Sequence, residues 1–248
     1  MASYDFAAPR LYLDAPLAGE LDIALGQEHG NYLKNVLRLG PGDAVLVFNG
    51  RDGEWRATLS EAGRKKVSLR LAEQVRAQTA RGDLWYLFAP LKHARLDYMV
   101  QKAVELGATR LAPVLTRRTQ VARVNLDRMR ANSIEAAEQC GILDLPEIVE
   151  PVALDRTLAD WPDDRAIVFC DEDAGLADPI AALSTLAHTK IAVLIGPEGG
   201  FDPAERASLA RMSNVVRLSL GPRVLRADTA AVAALALVQA IRGDWRGT

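Results

Sequence analysis

The chain has 248 residues, of which 49% are hydrophobic and 25% charged, with a formal net charge of −2 at pH 7. A chain of this length and composition buries enough surface to fold without disulfides or a bound metal. Its two cysteines exclude a disulfide framework, and its three histidines are too widely spaced for a zinc site. No signal peptide and no membrane span of about 18 apolar residues is visible, so we expect a cytoplasmic protein.

Residues 1–76 predict a small β-rich domain. Five short runs with partial period-two alternation are separated by turn residues such as Asn49-Gly50. Between the second and third runs we expect a helix with Tyr32, Val36 and Leu39 on one apolar face, ended by Gly40. Five strands and one helix indicate a small barrel.

Residues 77–248 predict an α/β domain, because strand-like and helix-like segments alternate. The strands are expected in LWYLFAP, RLAPVLT, RAIVFCDE, KIAVLIGPEGG and VVRLSLG. Such alternation predicts a parallel sheet with helices on both faces. Asn125, Asp202 and Asp228 are expected to cap helices at their first turns, and Gly107 to end one.

Charge is unevenly distributed along the chain. Residues 92–130 hold nine basic and three acidic side chains, whereas residues 131–180 hold two basic and thirteen acidic ones. Basic stretches attract phosphate backbones, although a solvated protein face is the alternative interpretation. The charge pattern therefore permits an RNA ligand without identifying one.

Two glycine-bearing turns are the candidate chemical motifs. GPEGG (residues 196–200) follows an apolar strand, and LSLGPRVLRADTAA (residues 218–231) leads from another strand into an alanine-rich helix. Ligands in open α/β sheets bind past the carboxyl ends of strands, and glycine lets backbone amides approach them. Each motif alone is also compatible with an ordinary βα turn. Neither is a P-loop or a G-x-G-x-x-G fingerprint, which argues against a Rossmann-type methyltransferase or dehydrogenase.

Taken together, these segments resemble the RsmE family of SPOUT RNA methyltransferases. LIGPEGG and LGPRVLRADTA match that family, as do MVQKAVELGAT, AAEQCG with LPEI, PRLY and NYLKNVLRLGPGD, so the resemblance covers nearly the whole chain. It implies a parallel α/β domain with a C-terminal deep trefoil knot and an N-terminal PUA-like β-barrel domain that binds RNA. It also implies an S-adenosyl-L-methionine cofactor, a homodimer with its active sites at the subunit interface, and 16S rRNA of the small ribosomal subunit as partner.

The activity implied by the resemblance is methylation of N3 of a uridine in 16S rRNA. A SPOUT 2′-O-ribose methyltransferase is one alternative, but its usual N-terminal asparagine and arginine motif is not found here. A non-catalytic RNA-binding ribosome assembly factor is another, and the two intact motifs argue against it.

The resemblance places the cofactor site in the two glycine motifs. Where family members often read Thr-Glu-Thr, this chain has Ala227-Asp228-Thr229, so the acidic side chain is one methylene shorter. The implied cofactor residues are Leu194, Ile195, Gly196, Glu198, Gly199, Gly200, Leu218, Leu220, Gly221, Val224, Leu225, Arg226 and Thr229.

Methylation at N3 requires that the N3 proton leave, so we expect a proton acceptor and a cation beside the uracil. The candidates are Arg226, Asp228 and Glu198, although Asp228 is alternatively only a helix cap. Cys140 is expected to be a small buried thiol rather than a nucleophile.

Basic side chains of the N-terminal domain are the candidates for RNA contact. Arg10, Lys34 and Arg38 are expected to contact phosphates, by their match to the family or their place on one helix. In the second domain, four further cations extend the same track in this interpretation, with a solvated face as the alternative: Lys92, Arg95, Arg117 and Arg118.

Overall fold

The computed structural model describes residues 8–62, 66–80, 82–121, 123–175 and 178–246. It divides into two compact units, Met1–Ala80 with Ala137–Asp144 and Arg81–Ala136 with Leu145–Thr248. The domain boundary expected after residue 76 stays a prediction. No sequence pattern indicated that residues 137–144 group with the first unit.

The first unit is built on a five-stranded sheet in the order β1-β3-β4-β5-β2. β1 runs parallel to β3, and the other neighbouring pairs are antiparallel. Inward-facing residues of these strands form one apolar cluster with Leu33, which includes Val45, Val47 and Leu69. The strands are β1 (Arg10–Tyr12), β2 (Asp22–Ala24), β3 (Ala44–Phe48), β4 (Glu54–Ala62) and β5 (Lys66–Arg76).

The helix expected between the second and third strands has a different form. A short α1 (Gln27–Asn31) continues into a π-helical turn, Tyr32–Val36, in which Leu37 N donates to Tyr32 O at 3.0 Å. The wider turn rotates the helix face, so Leu33 is buried whereas Val36 is 61% exposed. The expected burial of Val36 is therefore wrong.

The π-helical turn ends at Val36, and the chain turns away at Arg38 rather than at Gly40. Arg38 has a φ of 59°, in the left-handed region that most side chains avoid. This conformation redirects the chain two residues earlier than the glycine would.

The second unit contains a parallel sheet in the order β12-β10-β11-β6-β7-β8, with β9 also paired to β7. Every recorded pair in it is parallel, as predicted from the strand–helix alternation. The strands are β6 (Leu84–Phe88), β7 (Arg110–Leu115), β8 (Glu147–Ile148), β9 (Val152–Ala153), β10 (Arg165–Cys170), β11 (Lys190–Ile195) and β12 (Val215–Leu218).

Helices pack on this sheet in two groups. Leu154 and Leu209 join Phe169 and Leu194 in one apolar cluster, whereas the last helix packs on β11 outside that cluster. None of the described helices is long and apolar enough to cross a membrane. The helices are α2 (His93–Glu105), α3 (Leu126–Cys140), α4 (Leu154–Ala159), α5 (Pro179–Ser184), α6 (Pro203–Ala210) and α7 (Ala227–Arg242).

Helix ends test the predicted caps. Asn125 Oδ1 accepts from Arg128 N at 3.0 Å, and Asp202 forms a capping box at the start of α6, so both N-caps are confirmed. Gly107, with a φ of 79°, follows α2 as predicted. Asp228 is not an N-cap, because α7 already begins at Ala227 and Asp228 Oδ1 instead accepts from the backbone of the next residue.

Candidate active site

The carboxyl ends of β10, β11 and β12 lie side by side at one edge of the parallel sheet. The register pairs Cys170 with both Ile195 and Leu218, the last residues of the two neighbouring strands. Because ligands bind where loops leave such an edge, this is the expected place for a site. The three loops enclose a cavity of about 480 Å³, lined by residues 170–172, 195–200, 218–227 and Ala230.

Nearly all of the predicted cofactor residues line this cleft. The exceptions are Leu194 and Thr229. Leu194 is fully buried in the apolar cluster beneath the sheet, since its side chain points away from that of Ile195. Thr229 is exposed in the first turn of α7. The structure thus brings the two motifs together, although about twenty residues separate them in sequence.

The first glycine loop (residues 196–200) requires two of its glycines by close contact. A Cβ at Gly196 would overlap the ring of Phe201, and a Cβ at Gly200 would overlap the Glu172 carboxylate. Gly200 also has a φ of 69°, and its N–H donates to Pro197 O at 2.9 Å. This loop therefore presents backbone to the cleft in a shape that larger residues would not adopt.

Arginines from α2 and from the loop after β7 lie around the first glycine loop. Arg95 forms an ion pair with Glu198, and Arg118 Nη1 donates to Gly199 O at 2.9 Å. Arg117 binds the capping box of α6 through its backbone and its guanidinium group. Of the four cations predicted to extend an RNA track, Arg95 and Arg118 thus have partners that line the cleft, Arg117 pairs at the start of α6, and Lys92 is exposed.

The second glycine loop (residues 219–226) projects from the sheet edge. Gly221 has a φ of 97°, and the side chain of Val224 is 86% exposed. Arg223 and Arg226 are also exposed, and the described residues include no ion-pair partner for either. An apolar side chain and two cations are therefore available at the mouth of the cleft.

The three candidates for proton transfer do not share one position. Glu198 and Arg226 both line the cleft, from the first and second glycine loops respectively. Asp228 does not line it, and its carboxylate accepts from Thr229 N at 2.9 Å. The geometry therefore favours Glu198 and Arg226 over Asp228 as groups that reach a substrate.

The acidic loop (residues 171–173) was missed by sequence reasoning. Asp171 and Glu172 line the cleft directly after β10. Arg217 donates to Asp171 Oδ2 through Nε at 2.9 Å and Nη2 at 2.6 Å, and Arg206 pairs with Glu172. The available signal was a run of three acidic residues at the carboxyl end of a predicted strand.

Two groups near the cleft hold their protons at neutral pH. Burial, followed by the charge of Asp171, raises the pKa of the Cys170 thiol to about 12, although the residue as a whole is partly exposed. Burial, followed by the charges of Cys170 and Asp228, raises the pKa of Tyr86 well above its ordinary value. The Tyr86 hydroxyl has no hydrogen-bond partner within the described part of the chain. Neither group is therefore a general base near pH 7.

Elsewhere, two expected side-chain environments differ from the prediction. Cys140 is exposed at the last residue of α3, so the expected buried thiol is wrong. Arg10 is buried with its Nε 3.1 Å from Glu54 Oε1, which does not support a phosphate contact, whereas Lys34 and Arg38 are exposed. No cluster of three or more His, Cys, Asp or Glu residues suited to a metal occurs among the residues described.

Family models match both parts of the chain. The RNA methyltransferase domain matches residues 77–239, and the RNA methyltransferase PUA domain matches residues 25–72. The chain is 34% identical to Ribosomal RNA small subunit methyltransferase E of Rickettsia conorii, over 93% of this chain and 94% of that protein. It is 31% identical to the enzyme of that name from Synechocystis, over 90% of this chain and 74% of that protein.

Solved structures agree over the full length. Ribosomal RNA small subunit methyltransferase E from Neisseria gonorrhoeae, bound to S-adenosyl methionine, is 26% identical with a TM-score of 0.83, over 96% of this chain and 99% of that one. The putative methyltransferase Lpg2936 from Legionella pneumophila, in complex with SAM, is 29% identical with a TM-score of 0.80 over the same shares. The resemblance, the α/β class and the PUA-like domain are thereby confirmed. The chain belongs to the RNA methyltransferase family that includes Ribosomal RNA small subunit methyltransferase E.

Proposed function

We propose that this chain transfers the methyl group of S-adenosyl-L-methionine to N3 of a uridine in 16S rRNA of the small ribosomal subunit. The observation that carries this proposal is the meeting of both glycine loops in one cleft of about 480 Å³. That volume lies in the range of small-molecule sites. Relatives named for small-subunit rRNA methylation, and a similar structure bound to S-adenosyl methionine, support it.

The residues of the cleft fit such a cofactor. Leu220 and Leu225 offer apolar surface for a purine ring, and Gly199 and Gly200 let backbone groups approach its polar atoms. When bound, the cofactor supplies an electrophilic methyl group. The protein's contribution is to hold donor and acceptor in line, which accounts for much of the rate of a two-reactant transfer.

Glu198 and Arg226 are the groups proposed to handle the proton and charge of the uracil. Both reach the cleft, and Arg95 holds the Glu198 carboxylate in place through an ion pair. Glu198 accepts the N3 proton directly or through a water, and the exposed Arg226 guanidinium stabilises negative charge on O2 or O4. Asp228 stabilises α7 instead, because a negative charge in the first turn of a helix interacts favourably with the helix dipole.

We also propose that the enzyme acts in the cytoplasm, where its rRNA substrate is found, and that Lys34 and Arg38 contact RNA phosphates. We further propose that it acts as a homodimer. The exposed Val224 beside the cleft is suited to burial by a second subunit. The C-terminal trefoil knot stays a prediction. Analytical ultracentrifugation tests the dimer directly, and a monomer at micromolar concentration would contradict it.

Nucleoside analysis of 16S rRNA tests the reaction. A strain lacking the protein should lose one N3-methyluridine, and the wild-type gene should restore it. Arg226→Ala should fail to restore it, whereas Arg211→Ala, at an exposed arginine outside the cleft, should succeed. Loss of a 2′-O-methyl nucleoside instead would favour ribose methylation, and unchanged modification would favour an assembly factor.

A further inference from the structure

A buried carboxylate joins the three segments that form the cleft. The Asp171 side chain has no exposed surface. Arg217, on β12, donates to Asp171 Oδ2 at 2.6 and 2.9 Å, and Asp173 N donates to Oδ1 at 3.1 Å. Arg206, on α6, places its Nε 3.4 Å from the same Oδ1. Asp171 is thus held from both of the neighbouring strand–loop units.

Arg206 reaches the whole acidic loop. Besides approaching Asp171, its guanidinium forms ion pairs with Glu172 and Asp173, and its side chain is only 20% exposed. α6 begins three residues after the first glycine loop ends, at Pro203. The arginine therefore links the acidic loop to the segment that carries the first glycine loop.

The Glu172 carboxylate lies directly against the first glycine loop. Its Oε1 occupies the space that a Cβ on Gly200 would need, and Gly200 holds a φ of 69°. Glu172 is also partly exposed and lines the cleft. Because Arg206 Nη2 binds that same Oε1, the arginine sets how the carboxylate meets the loop backbone.

We propose that Arg206 is a positioning residue for the methyl donor: it fixes Asp171 and Glu172 as one wall of the cleft, so that cofactor affinity depends on it. The inference rests on the proposed function, since it takes this cleft as the cofactor site. Arg206 does not line the cleft, so it acts through the two carboxylates. Without it, Arg217 is the one charged partner left to Asp171 within the described ranges, and Glu172 loses its ion pair with the arginine.

The test compares Arg206→Met with Arg206→Lys in the full-length protein. Calorimetry measures the Kd of S-adenosylhomocysteine, and steady-state methylation of small ribosomal subunits gives kcat and the KM for S-adenosylmethionine. Arg206→Met should raise the Kd of S-adenosylhomocysteine and the KM for S-adenosylmethionine about tenfold or more. Its kcat should change by less than about twofold, because only positioning is lost. Arg206→Lys should restore part of the affinity.

Arg211→Met is the matched control, because Arg211 follows the same helix, is exposed, and bonds only to Ser208 in the described structure. It should leave both constants unchanged. An Arg206→Met protein with normal Kd, or with lowered kcat and normal KM, would overturn the inference. If circular dichroism shows that Arg206→Met does not fold, Glu172→Gln replaces it, and a normal Kd in that folded variant has the same meaning.

Leu225→Asp separates this inference from the proposed function. It places a charge in the cleft without touching the arginine network. If S-adenosylhomocysteine binds Leu225→Asp as tightly as the wild type, the cleft is not the cofactor site and both proposals fail. If Leu225→Asp abolishes binding and Arg206→Met does not weaken it, only the positioning role is lost.

Discussion

Each of the two units contains a buried carboxylate held between two arginines. In the first unit, Glu54 accepts from Arg10 Nε at 3.1 Å and from Arg76 Nε at 2.7 Å. In the second unit, Asp171 Oδ2 accepts from Arg217 of β12 at 2.6 and 2.9 Å, and Arg206 of α6 forms a looser ion pair, with its Nε 3.4 Å from Oδ1. Both carboxylates are almost fully buried, so the two regions share their local chemistry.

The surroundings of the two carboxylates differ. The Glu54 network joins the ends of β1, β4 and β5, and none of its members lines the described cleft. Asp171 lines that cleft and pairs with arginines of β12 and α6. Burial and pairing alone therefore do not identify a functional group, because buried ion pairs also stabilise ordinary structure. What distinguishes the two carboxylates is that Asp171 lines a cavity whereas Glu54 does not line the described cleft.

The largest expected contrast between the two regions is in thiol reactivity. Cys140 is exposed in the first unit, whereas Cys170 at the cleft has a pKa of about 12 against an ordinary value of 9.0. At pH 8, Cys170 should be about a thousandfold less ionised than an ordinary thiol, and its reactivity should rise as the pH approaches 12. Mass spectrometry after iodoacetamide treatment should find Cys140 modified and Cys170 intact. Equal modification would contradict the buried, protonated state.

Asp171→Ala should affect both stability and binding. It removes both hydrogen bonds from Arg217 and the ion pair with Arg206, although Arg206 keeps Glu172 and Asp173, so the free energy of unfolding should fall by about 1.5–3 kcal/mol. Affinity for S-adenosylhomocysteine should fall by more than about tenfold, because the cleft wall loses its support. Urea unfolding and calorimetry measure the two effects. If a folded Asp171→Ala variant bound S-adenosylhomocysteine normally, Asp171 would have only a structural role, as expected for Glu54.

Glu54→Ala should affect stability alone. The free energy of unfolding should fall by about 3 kcal/mol, since the buried ion pair between Glu54 and Arg10 is broken. Affinity for S-adenosylhomocysteine should stay within about twofold of the wild type, because the described residues that line the cleft include none of this network. Urea unfolding and calorimetry again measure the two effects. If a fully folded Glu54→Ala variant bound S-adenosylhomocysteine more weakly than the wild type, the expected difference between the two regions would be wrong.

The smallest expected effects concern RNA binding by the first unit. Lys34→Ala and Arg38→Ala should each lower the log–log salt dependence of RNA binding by about one unit, if each side chain contacts one phosphate. Arg10→Ala is the matched comparison, because its buried guanidinium should leave the slope unchanged while reducing stability. Filter binding at several salt concentrations measures the slopes. A flatter slope for Arg10→Ala would indicate that Arg10 contacts an RNA phosphate despite its burial.

The sequence predicted those features that depend on near neighbours along the chain. Strand and helix alternation predicted the parallel sheet, and the caps at Asn125 and Asp202 were visible because their partners lie within one turn. Both glycine loops were also visible, since their glycines directly follow apolar strands. The same local reasoning was wrong for Val36 and Asp228, where a π-helical turn and an earlier helix start changed the geometry.

By itself, then, the sequence determined the family, most of the longer elements and the two glycine motifs, because each is encoded in contiguous residues, whereas the short β8, β9, α4 and α5 were not predicted. Only the tertiary structure decided that Arg10 is buried against Glu54 and that Asp171 pairs with Arg217 at the cleft. Those pairs are separated by 44 and 46 positions in sequence. Charge pairing over such distances has no periodic signal, since it depends on which strand ends become neighbours when the sheets assemble.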